Sequence, residues 1–239
     1  STVVRFANVL DYDGYPKLQK ALQELIRNKL TTVQRIEMSS DLDQSMVLKS
    51  VLKADMNNIR LTIDEMNNGI FEAVVNRILQ AKNIYVLGLR SAAPLAQFMG
   101  YYLNFIFDNV RIVTSGVNDI FEQLIHIGKG DLLIGISFPR YASRAIEAIK
   151  FSKGRGADTV ALTDSMLSPL TAYADYSLLA RSDMASFVDS LVAPLSLINA
   201  LIVAIGVMKK TEISSDFHEL ENIWSHYNVY VEKDKGQST

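Results

Sequence analysis

The sequence predicts an α/β fold, in which a doubly wound, five-stranded parallel sheet lies between layers of helices and follows an all-helical N-terminal segment. From residue 83 onward, short apolar runs recur with helix-like stretches between them, a pattern typical of α/β proteins. The runs are continuously hydrophobic rather than alternating, as expected for parallel strands that helices cover on both faces. The predicted strands are residues 84–88, 110–114, 132–136, 159–163 and 176–180.

The residues before the sheet follow helical spacing. Val3 and Phe6 do so from the first positions, and we therefore expect the chain to begin inside an element, with upstream residues missing. Asp13 and Gly14 predict a turn, and Pro16 suits the first turn of the next helix. Further helices are predicted over residues 44–66, 70–81, 186–208 and 215–226, with a frayed tail over residues 231–239.

These elements divide the chain into four predicted parts. Residues 1–36 form a helical head, and residues 37–81 form connecting and dimerisation helices. Residues 82–210 form the α/β domain, and residues 211–239 form a C-terminal helix and tail. No linker rich in glycine, serine or proline separates head from body, which indicates a semi-rigid connection.

The composition excludes several classes of protein. Of the 239 residues, 49% are hydrophobic and 21% are charged, values typical of a globular chain and not of a disordered one. The chain contains no cysteine, which excludes disulfides, thiolate catalysis, cysteine zinc sites and iron–sulfur clusters. The nucleotide-binding patterns G-x-G-x-x-G and G-x-x-x-x-G-K-[ST] do not occur, and we expect neither a cofactor nor a metal.

The charge is unevenly distributed along the chain. The net charge is −2, but residues 1–35 contain six Lys or Arg and three Asp or Glu, which leaves +3 there and −5 in the remainder. A weakly basic start on an acidic body is compatible with a nucleic-acid-binding head.

One apolar stretch has the length of a membrane span, because residues 190–208 contain no charged side chain. Pro194, Ser196 and Asn199 interrupt it and Asp189 precedes it, and we interpret it as a helix of the core or of a subunit interface. No secretory signal opens the chain, which favours a cytoplasmic protein without a membrane partner.

The turns that leave the strands are the candidate sites, because ligands of open parallel sheets bind beyond the carboxyl ends of the strands. Ser91 follows the first predicted strand, and Ser137, Arg140 and Ser143 follow the third, just before a predicted helix. Helix N-termini, serine hydroxyls and arginine guanidinium groups all bind phosphate oxygens. These residues together predict an anion site.

The same residues have structural alternatives that the sequence leaves open. Ser91 could cap the following helix, with Pro94 in its first turn. The turn after the third strand could be a capped helix start with surface arginines. Ser168 before Pro169 predicts an ordinary helix N-cap after the fourth strand.

Several segments resemble the bacterial transcription regulators of the RpiR type, which join a helix-turn-helix to a sugar isomerase (SIS) phosphosugar-binding domain. Residues 1–7 (STVVRFA) and 12–18 (YDGYPKL) resemble the end of the DNA-reading helix and the helix after it. Residues 136–141 (ISFPRY) resemble the phosphate loop, and residues 161–165 (ALTDS) and 191–195 (LVAPL) resemble a later strand turn and the long helix. The resemblance spans essentially the whole chain.

This resemblance implies an SIS-type fold and a sugar-phosphate effector that controls the binding of double-stranded DNA. It implies that Ser91 and Ser137 bind the phosphate, with Arg140 as a further contact. Ala142 stands where the family often has a hydroxyl, and either Ser143 replaces it or that donor is lost.

The resemblance also implies that residues 1–36 are the remnant of a helix-turn-helix. Arg5 would then lie at the end of the reading helix, and Lys17 and Lys20 would contact flanking phosphates. The alternative is that these helices only pack on the body and their charges form a solvated face.

The rival function is an aldose–ketose isomerase, which needs a general base and usually a histidine. SIS isomerases resemble one another in a Glu before the long helix, whereas residues 178–185 (LLARSDMA) contain none. Asp183 is the only plausible base there, and His126 could reach a neighbouring subunit's sugar. We therefore expect a sensor and not an enzyme. The family that the chain resembles responds to pentose, hexose and N-acetylated amino-sugar phosphates, and of these we favour an N-acetylated amino-sugar 6-phosphate. A structural domain with an empty pocket is the third possibility.

The long helix before residue 209 also predicts a homodimer or a higher homo-oligomer. Its apolar residues cover more of the helix surface than one face of a sheet can bury. They are Leu191, Leu195, Ile198, Leu201, Ile202 and Ile205.

Overall fold

The computed structural model describes residues 2–19, 22, 30–37, 44–184 and 187–231. Its five strands run parallel, in the spatial order β2-β1-β3-β4-β5. The predicted α/β class is confirmed, and three predicted strands differ from the observed ones by one residue at one end. The strands are β1 (Ile84–Gly88), β2 (Val110–Val113), β3 (Leu132–Ile136), β4 (Asp158–Thr163) and β5 (Tyr176–Leu179).

Helices precede, connect and follow the strands. The N-terminal part contains α1 (Thr2–Val9), helical residues 15–19 and α2 (Thr32–Glu37). A 3-10 turn, Gln44–Met46, leads into α3 (Val47–Glu65), which α4 (Asn68–Gln80) follows. The later helices are α5 (Ala93–Leu103), α6 (Ile120–Gln123), α7 (Ser143–Gly154), α8 (Val192–Met208) and α9 (Lys210–His226).

Alternate residues of each strand enter two separate apolar layers, because successive side chains of a strand point to opposite faces. Ile84 and Val86 of β1 pack in the layer that α4, α5 and α8 cover. Tyr85 and Leu87 pack in the layer that α6 and α7 cover. Helices on both faces explain why the strands are hydrophobic without alternation.

Helix α8 begins at Val192, six residues later than the sequence predicts, because the chain before it bonds to α3 instead of forming its own helical turns. The Arg181 backbone N–H donates to the Thr62 hydroxyl at 2.9 Å. The side chain of Asn58 bonds both backbone groups of Asp183, at 2.9 and 3.2 Å.

Two further contacts fix this segment to α3. The Arg181 guanidinium donates to both carboxylate oxygens of Glu65, at 2.7 and 2.6 Å. At the other end of the segment, the Ser190 hydroxyl donates to Asp55 at 2.6 Å. Residues 181–190 are therefore held to α3 at both ends.

The chain between β4 and β5 forms turns, and the helix expected after Ser168 is absent from these described residues. The Ser168 hydroxyl accepts from the Thr163 hydroxyl at 2.8 Å and caps only a turn, through the Leu170 N–H at 3.4 Å. Asp175 then anchors the chain at the sheet by accepting from the N–H and hydroxyl of Thr159, at 3.0 and 2.7 Å. Burial raises the pKa of Asp175, but hydrogen bonds from Thr159 and Lys153 outweigh it and lower the pKa.

The six apolar residues that predict an oligomer, five of α8 and Leu191 just before it, are covered within the chain. Ile198, Leu201 and Ile205 are buried, and Leu191, Leu195 and Ile202 pack against the same layer. The exposed apolar side chains of α8 are different ones, among them Val203 and Val207. In the described residues no single helix has the length and hydropathy of a membrane span; only α8 and α9 taken together do, and they are bent by 102°.

Gly88 ends β1 where the backbone of the following turn comes very close. A Cβ at this position would lie 2.5 Å from the carbonyl oxygen of Ala92 and 2.7 Å from the Cβ of Ala96. We expect Gly88→Ala to lower the free energy of unfolding by about 1–3 kcal/mol, because the backbone must shift to relieve the overlap. Urea denaturation measures the change.

Gly154→Ala is the matched control, since a Cβ there meets no atom within 4 Å. The control is expected to keep the wild-type stability within about 0.5 kcal/mol. Equal free energies of unfolding in the two variants would show that the turn between β1 and α5 has room for a Cβ at position 88.

Candidate functional site

A polar cleft of about 740 Å³ lies beyond the carboxyl ends of β1, β2 and β3. Its walls come from the turns after these strands, from α2 and from the segment before α8. This is the edge at which ligands of open parallel sheets bind. The cleft is lined by Thr32, Arg35, Leu89, Arg90, Ser91, Ser115, Pro139, Arg140, Tyr141, Ala142, Ser143, Arg144, Phe187 and Asp189.

The charge of the cleft is strongly positive. Among the residues that the structure describes, its lining contains four arginines and one carboxylate, that of Asp189. Arg35 pairs with Asp189 at 2.9 Å, and Arg144 pairs with Asp119 while its guanidinium lies over the Phe121 ring. Several guanidinium groups around one cavity favour an anionic ligand, because each forms charge-assisted hydrogen bonds to carboxylate or phosphate oxygens.

The turn after β1 places Arg90 and Ser91 at the cleft. Arg90 has a left-handed backbone, with φ of 55°, and begins the 3-10 turn Arg90–Ala92 that precedes α5. Ser91 lies inside this turn and is exposed, while the residue at the N-cap of α5 is Ala92, which makes no side-chain cap. Ser91 is therefore not the N-cap of α5, and it lines the cleft.

Ser137 lies beneath the loop that follows β3 and does not line the cleft. It is only 4% exposed. Its backbone N–H donates to the Leu162 carbonyl at 3.1 Å, and its hydroxyl oxygen accepts from the Ala142 N–H at 3.3 Å. These bonds close the loop of residues 137–142 and fix the start of α7.

Tyr141 ties the same loop to the turn after β4. Its hydroxyl donates to Asp164 at 2.8 Å. Burial, together with the negative charge of Asp164, raises the pKa of Tyr141 far above its ordinary value. The phenol therefore remains a protonated hydrogen-bond donor at physiological pH.

The start of α7 faces the cleft with Ser143 as its first residue. Ala142 is the N-cap and forms no side-chain cap. Its own N–H donates to the Ser137 hydroxyl, and the Ala145 N–H donates to the Ala142 carbonyl. The N–H groups of Ser143 and Arg144 therefore have no partner within the helix.

Arg140, just before α7, donates from Nη1 to the Thr32 hydroxyl at 2.9 Å. The start of a helix, the Ser143 hydroxyl and a guanidinium group thus border the same cleft, and groups of these kinds bind phosphate.

The cleft brings together Ser91, Arg140 and Ser143, three of the four residues predicted to bind the ligand, and Ser137 supports them from below. Their binding roles stay predictions. Sequence reasoning missed Arg90 and Ser115, although the turn after a strand is the signal that identifies both. It also missed the contributions of Thr32, Arg35 and Asp189, which come from distant segments that no local pattern connects.

The residues predicted to bind DNA are exposed where they are described. Arg5 lies on α1, and Lys17 lies on helical residues 15–19, whereas Lys20 lies outside the described residues. Lys17 donates to Asp13 at 2.9 Å, and this hydrogen bond and charge lower the pKa of Asp13. Both side chains are well exposed, so that the pair leaves Lys17 accessible.

The residues considered for catalysis lie away from the cleft. Asp183 is bound through its backbone to Asn58, and His126 is exposed beyond α6; the cleft lining includes neither. Within the described residues, no group of three His, Asp or Glu side chains could hold a metal ion.

Comparison with known proteins identifies the domain. A family model for the SIS domain matches residues 77–204. An uncharacterised helix-turn-helix transcriptional regulator of Haemophilus influenzae is 29% identical over 182 residues, covering 74% of this chain and 62% of that protein. A second such regulator, of Caldanaerobacter subterraneus, is 24% identical over 89% of this chain and 76% of its own length. The chain thus spans about two thirds of these relatives.

Solved structures agree with this assignment. The sugar isomerase domain of an RpiR transcription factor of Sphaerobacter thermophilus superposes with a TM-score of 0.71 at 28% identity, covering 74% of this chain and 99% of that one. The Vibrio vulnificus NanR protein, solved with ManNAc-6P, has a TM-score of 0.65 at 19% identity, covering 95% of this chain and 81% of that one. The chain therefore belongs to the SIS domain family, and its resemblance to the RpiR-type regulators is confirmed.

Proposed function

We propose that the chain is the effector-sensing part of a cytoplasmic bacterial transcription regulator, whose SIS domain binds a sugar phosphate and thereby controls DNA binding. The observation that carries this proposal is the cleft in which Arg90 and Arg140 lie beside Ser91 and Ser143. Residues 82–210 are the sensing domain, residues 37–81 connect it to the head, residues 1–36 belong to a helix-turn-helix, and residues 211–239 close the chain.

The phosphate of the effector lies between the β1 turn and the start of α7. A phosphate dianion accepts hydrogen bonds from serine hydroxyls, from N–H groups of a first helical turn and from guanidinium groups. Ser91, Ser143 and Arg140 supply these donors, and Ser137 keeps the loop closed around them. Arg90 adds a second guanidinium at the mouth.

We infer that the effector is an N-acetylated amino-sugar 6-phosphate. NanR, which shares this fold, was solved with such a compound, ManNAc-6P. A cleft of about 740 Å³ accommodates a phosphorylated hexose with an acetamido group.

An aldose–ketose isomerase is the second candidate function, because other SIS proteins have that activity. The cleft lining supports a sensor instead, since its one carboxylate, that of Asp189, is engaged by Arg35 and a general base must be able to accept a proton from the sugar. Incubating the chain with the sugar phosphate that stabilises it, and following interconversion of aldose and ketose by NMR, separates the two functions.

The first test removes one phosphate donor from the cleft. We expect Ser91→Ala to weaken the binding of ManNAc-6P by roughly 10- to 150-fold, because a hydrogen bond to a charged group contributes about 1.5–3 kcal/mol. Ser137→Ala is expected to weaken binding as well, since it removes a hydroxyl and loosens the loop. Isothermal titration calorimetry measures both affinities.

Ser214→Ala is the matched control, because this exposed serine of α9 lies outside the cleft. Its affinity should equal that of the wild type. Unchanged affinity in a well-folded Ser91→Ala or Ser137→Ala variant would show that this residue does not contribute to the site. If the chain bound no member of a panel of hexose and pentose phosphates, the proposed function would be refuted.

The head is proposed to contact double-stranded DNA through Arg5, Lys17 and Lys20. In a protein that carries a complete helix-turn-helix, replacing Lys17 and Lys20 by Gln should flatten the dependence of log affinity on log salt. Each phosphate contact that is lost removes about 0.9 from the slope. Replacing Arg5 should change sequence preference if it reaches a base edge. Fluorescence anisotropy at several salt concentrations provides the measurement.

Lys49→Gln and Lys53→Gln on α3, outside the head, are the control for the loss of two positive charges. This control should keep the wild-type slope. DNA binding that does not depend on salt, with or without sugar phosphates, would contradict the proposal that the protein is a DNA-binding regulator.

The chain is also proposed to form a homodimer or a higher homo-oligomer. Val203 and Val207 are 63% and 70% exposed on α8, and Leu48, Leu52 and Met56 form an exposed apolar row on α3. A two-fold protein suits the paired half-sites of an operator. Clusters of exposed apolar side chains often mark sites of protein–protein contact.

Charges placed on this surface test the oligomer. Val203→Glu combined with Val207→Glu should shift the mass measured by light scattering toward the monomer, because each buried apolar contact is replaced by a charge that must lose its water. Thr211→Glu, an exposed position of α9, is the control. A monomeric wild type at micromolar concentration would overturn this proposal.

A further inference from the structure

Helix α2 forms one wall of the cleft, although it belongs to the N-terminal part of the chain. Thr32 and Arg35 line the cavity together with residues of the SIS domain. The Thr32 hydroxyl accepts from Nη1 of Arg140 at 2.9 Å, and Arg35 donates to Asp189 at 2.9 Å. Both contacts join α2 to groups that surround the ligand space.

The burial of α2 shows that these polar contacts hold it. Arg35 is the buried residue of the helix, at 4% exposure, whereas the apolar residues Val33 and Ile36 are 64% and 49% exposed. A surface helix ordinarily docks through an apolar stripe. The position of α2 therefore depends on charged and polar groups. An anion bound in the cleft would interact with these same groups.

The Arg140 guanidinium has a neutral oxygen as its partner in α2. A hydroxyl accepts and donates at the same time, and the Thr32 oxygen that accepts from Arg140 can direct its own proton to an anion beside it. A phosphate oxygen at this point would be held by Arg140 and Thr32 together. The bond between the SIS domain and α2 would then become part of a larger charge-assisted network.

We propose that α2 closes the sugar-phosphate site. Thr32 contacts the ligand, the Arg35–Asp189 pair joins α2 to the segment before α8, and a bound anion holds α2 against the SIS domain. This inference rests on the proposed function. Because coupling between two equilibria is reciprocal, docked α2 also tightens the binding of the anion.

The position of α2 in the chain connects ligand binding to the proposed DNA-binding residues. It follows α1 and helical residues 15–19, which carry Arg5 and Lys17, and it precedes α3. An effector that holds α2 on the SIS domain therefore fixes the orientation of the proposed DNA-binding residues. In an empty cleft α2 lacks the contact with the anion and is held by its contacts with the protein, among them those of Thr32 and Arg35. The head is then oriented less firmly.

Hydrogen exchange measured by mass spectrometry on the full chain tests the proposal, with inorganic phosphate as the probe. Phosphate should slow exchange in residues 90–93 and 142–146, which border the site, and also in residues 32–37 of α2. Protection of the first two segments reports binding at the cleft, as the proposed function requires. Protection of α2 reports the closure inferred here.

Thr32→Val removes the hydroxyl at an exposed position and keeps the shape of the side chain. It should weaken phosphate binding roughly 10- to 150-fold, the effect of one hydrogen bond to a charged group, and should abolish the phosphate-dependent protection of residues 32–37. Thr211→Val, the same substitution at an exposed position of α9, should alter neither.

The outcomes separate the two proposals. Protection of residues 90–93 and 142–146 without protection of α2, or unchanged affinity in Thr32→Val, would overturn the closure of α2 and leave the proposed function intact. Protection in neither place, with calorimetry showing no phosphate binding to the wild type, would overturn both.

Discussion

The pairing of β1 with β3 is the constraint on which the rest of the structure depends. The register runs from Ile84 opposite Leu132 to Gly88 opposite Ile136, so that the two strands end at the same level of one sheet edge. Because both are parallel and central, their following turns open on the same side. The cleft, its hydroxyls and its guanidinium groups follow from this register, and a shift of the two strands relative to each other would separate Ser91 from Ser143.

The cleft is a site whose electrostatics favour binding over chemistry. Its arginines provide fixed positive charge, and the one carboxylate in its lining is paired with Arg35. The phenol of Tyr141 is locked as a donor to Asp164. Groups of these kinds suit the binding of an anion, and the one carboxylate among the described lining residues is already paired. This electrostatic pattern supports the proposed sensor more than the isomerase, which needs a general base.

The sheet, and the cleft residues in the turns after β1 and β3, could be predicted from sequence because both depend on local patterns. Continuous apolar runs give the strands, and the rule that ligands bind at strand ends gives Ser91, Arg140 and Ser143. The same rule does not predict that Ser137 is buried beneath the loop. Its burial follows from the folded loop, in which the Ser137 hydroxyl accepts from the Ala142 N–H. Thr32, Arg35 and Asp189 could not be predicted, because the contact between α2 and the segment before α8 joins residues 154 positions apart.

The attachment of residues 181–190 to α3 affects the thermodynamics of ligand capture. This segment carries Phe187 and Asp189 into the cleft, and hydrogen bonds from Asn58 near its start and from Ser190 to Asp55 at its end restrict its conformations before any ligand arrives. A segment whose ends are held in advance loses less conformational entropy when it contacts a ligand. For the proposed sugar-phosphate effector, more of the binding free energy would then remain for holding α2 against the SIS domain.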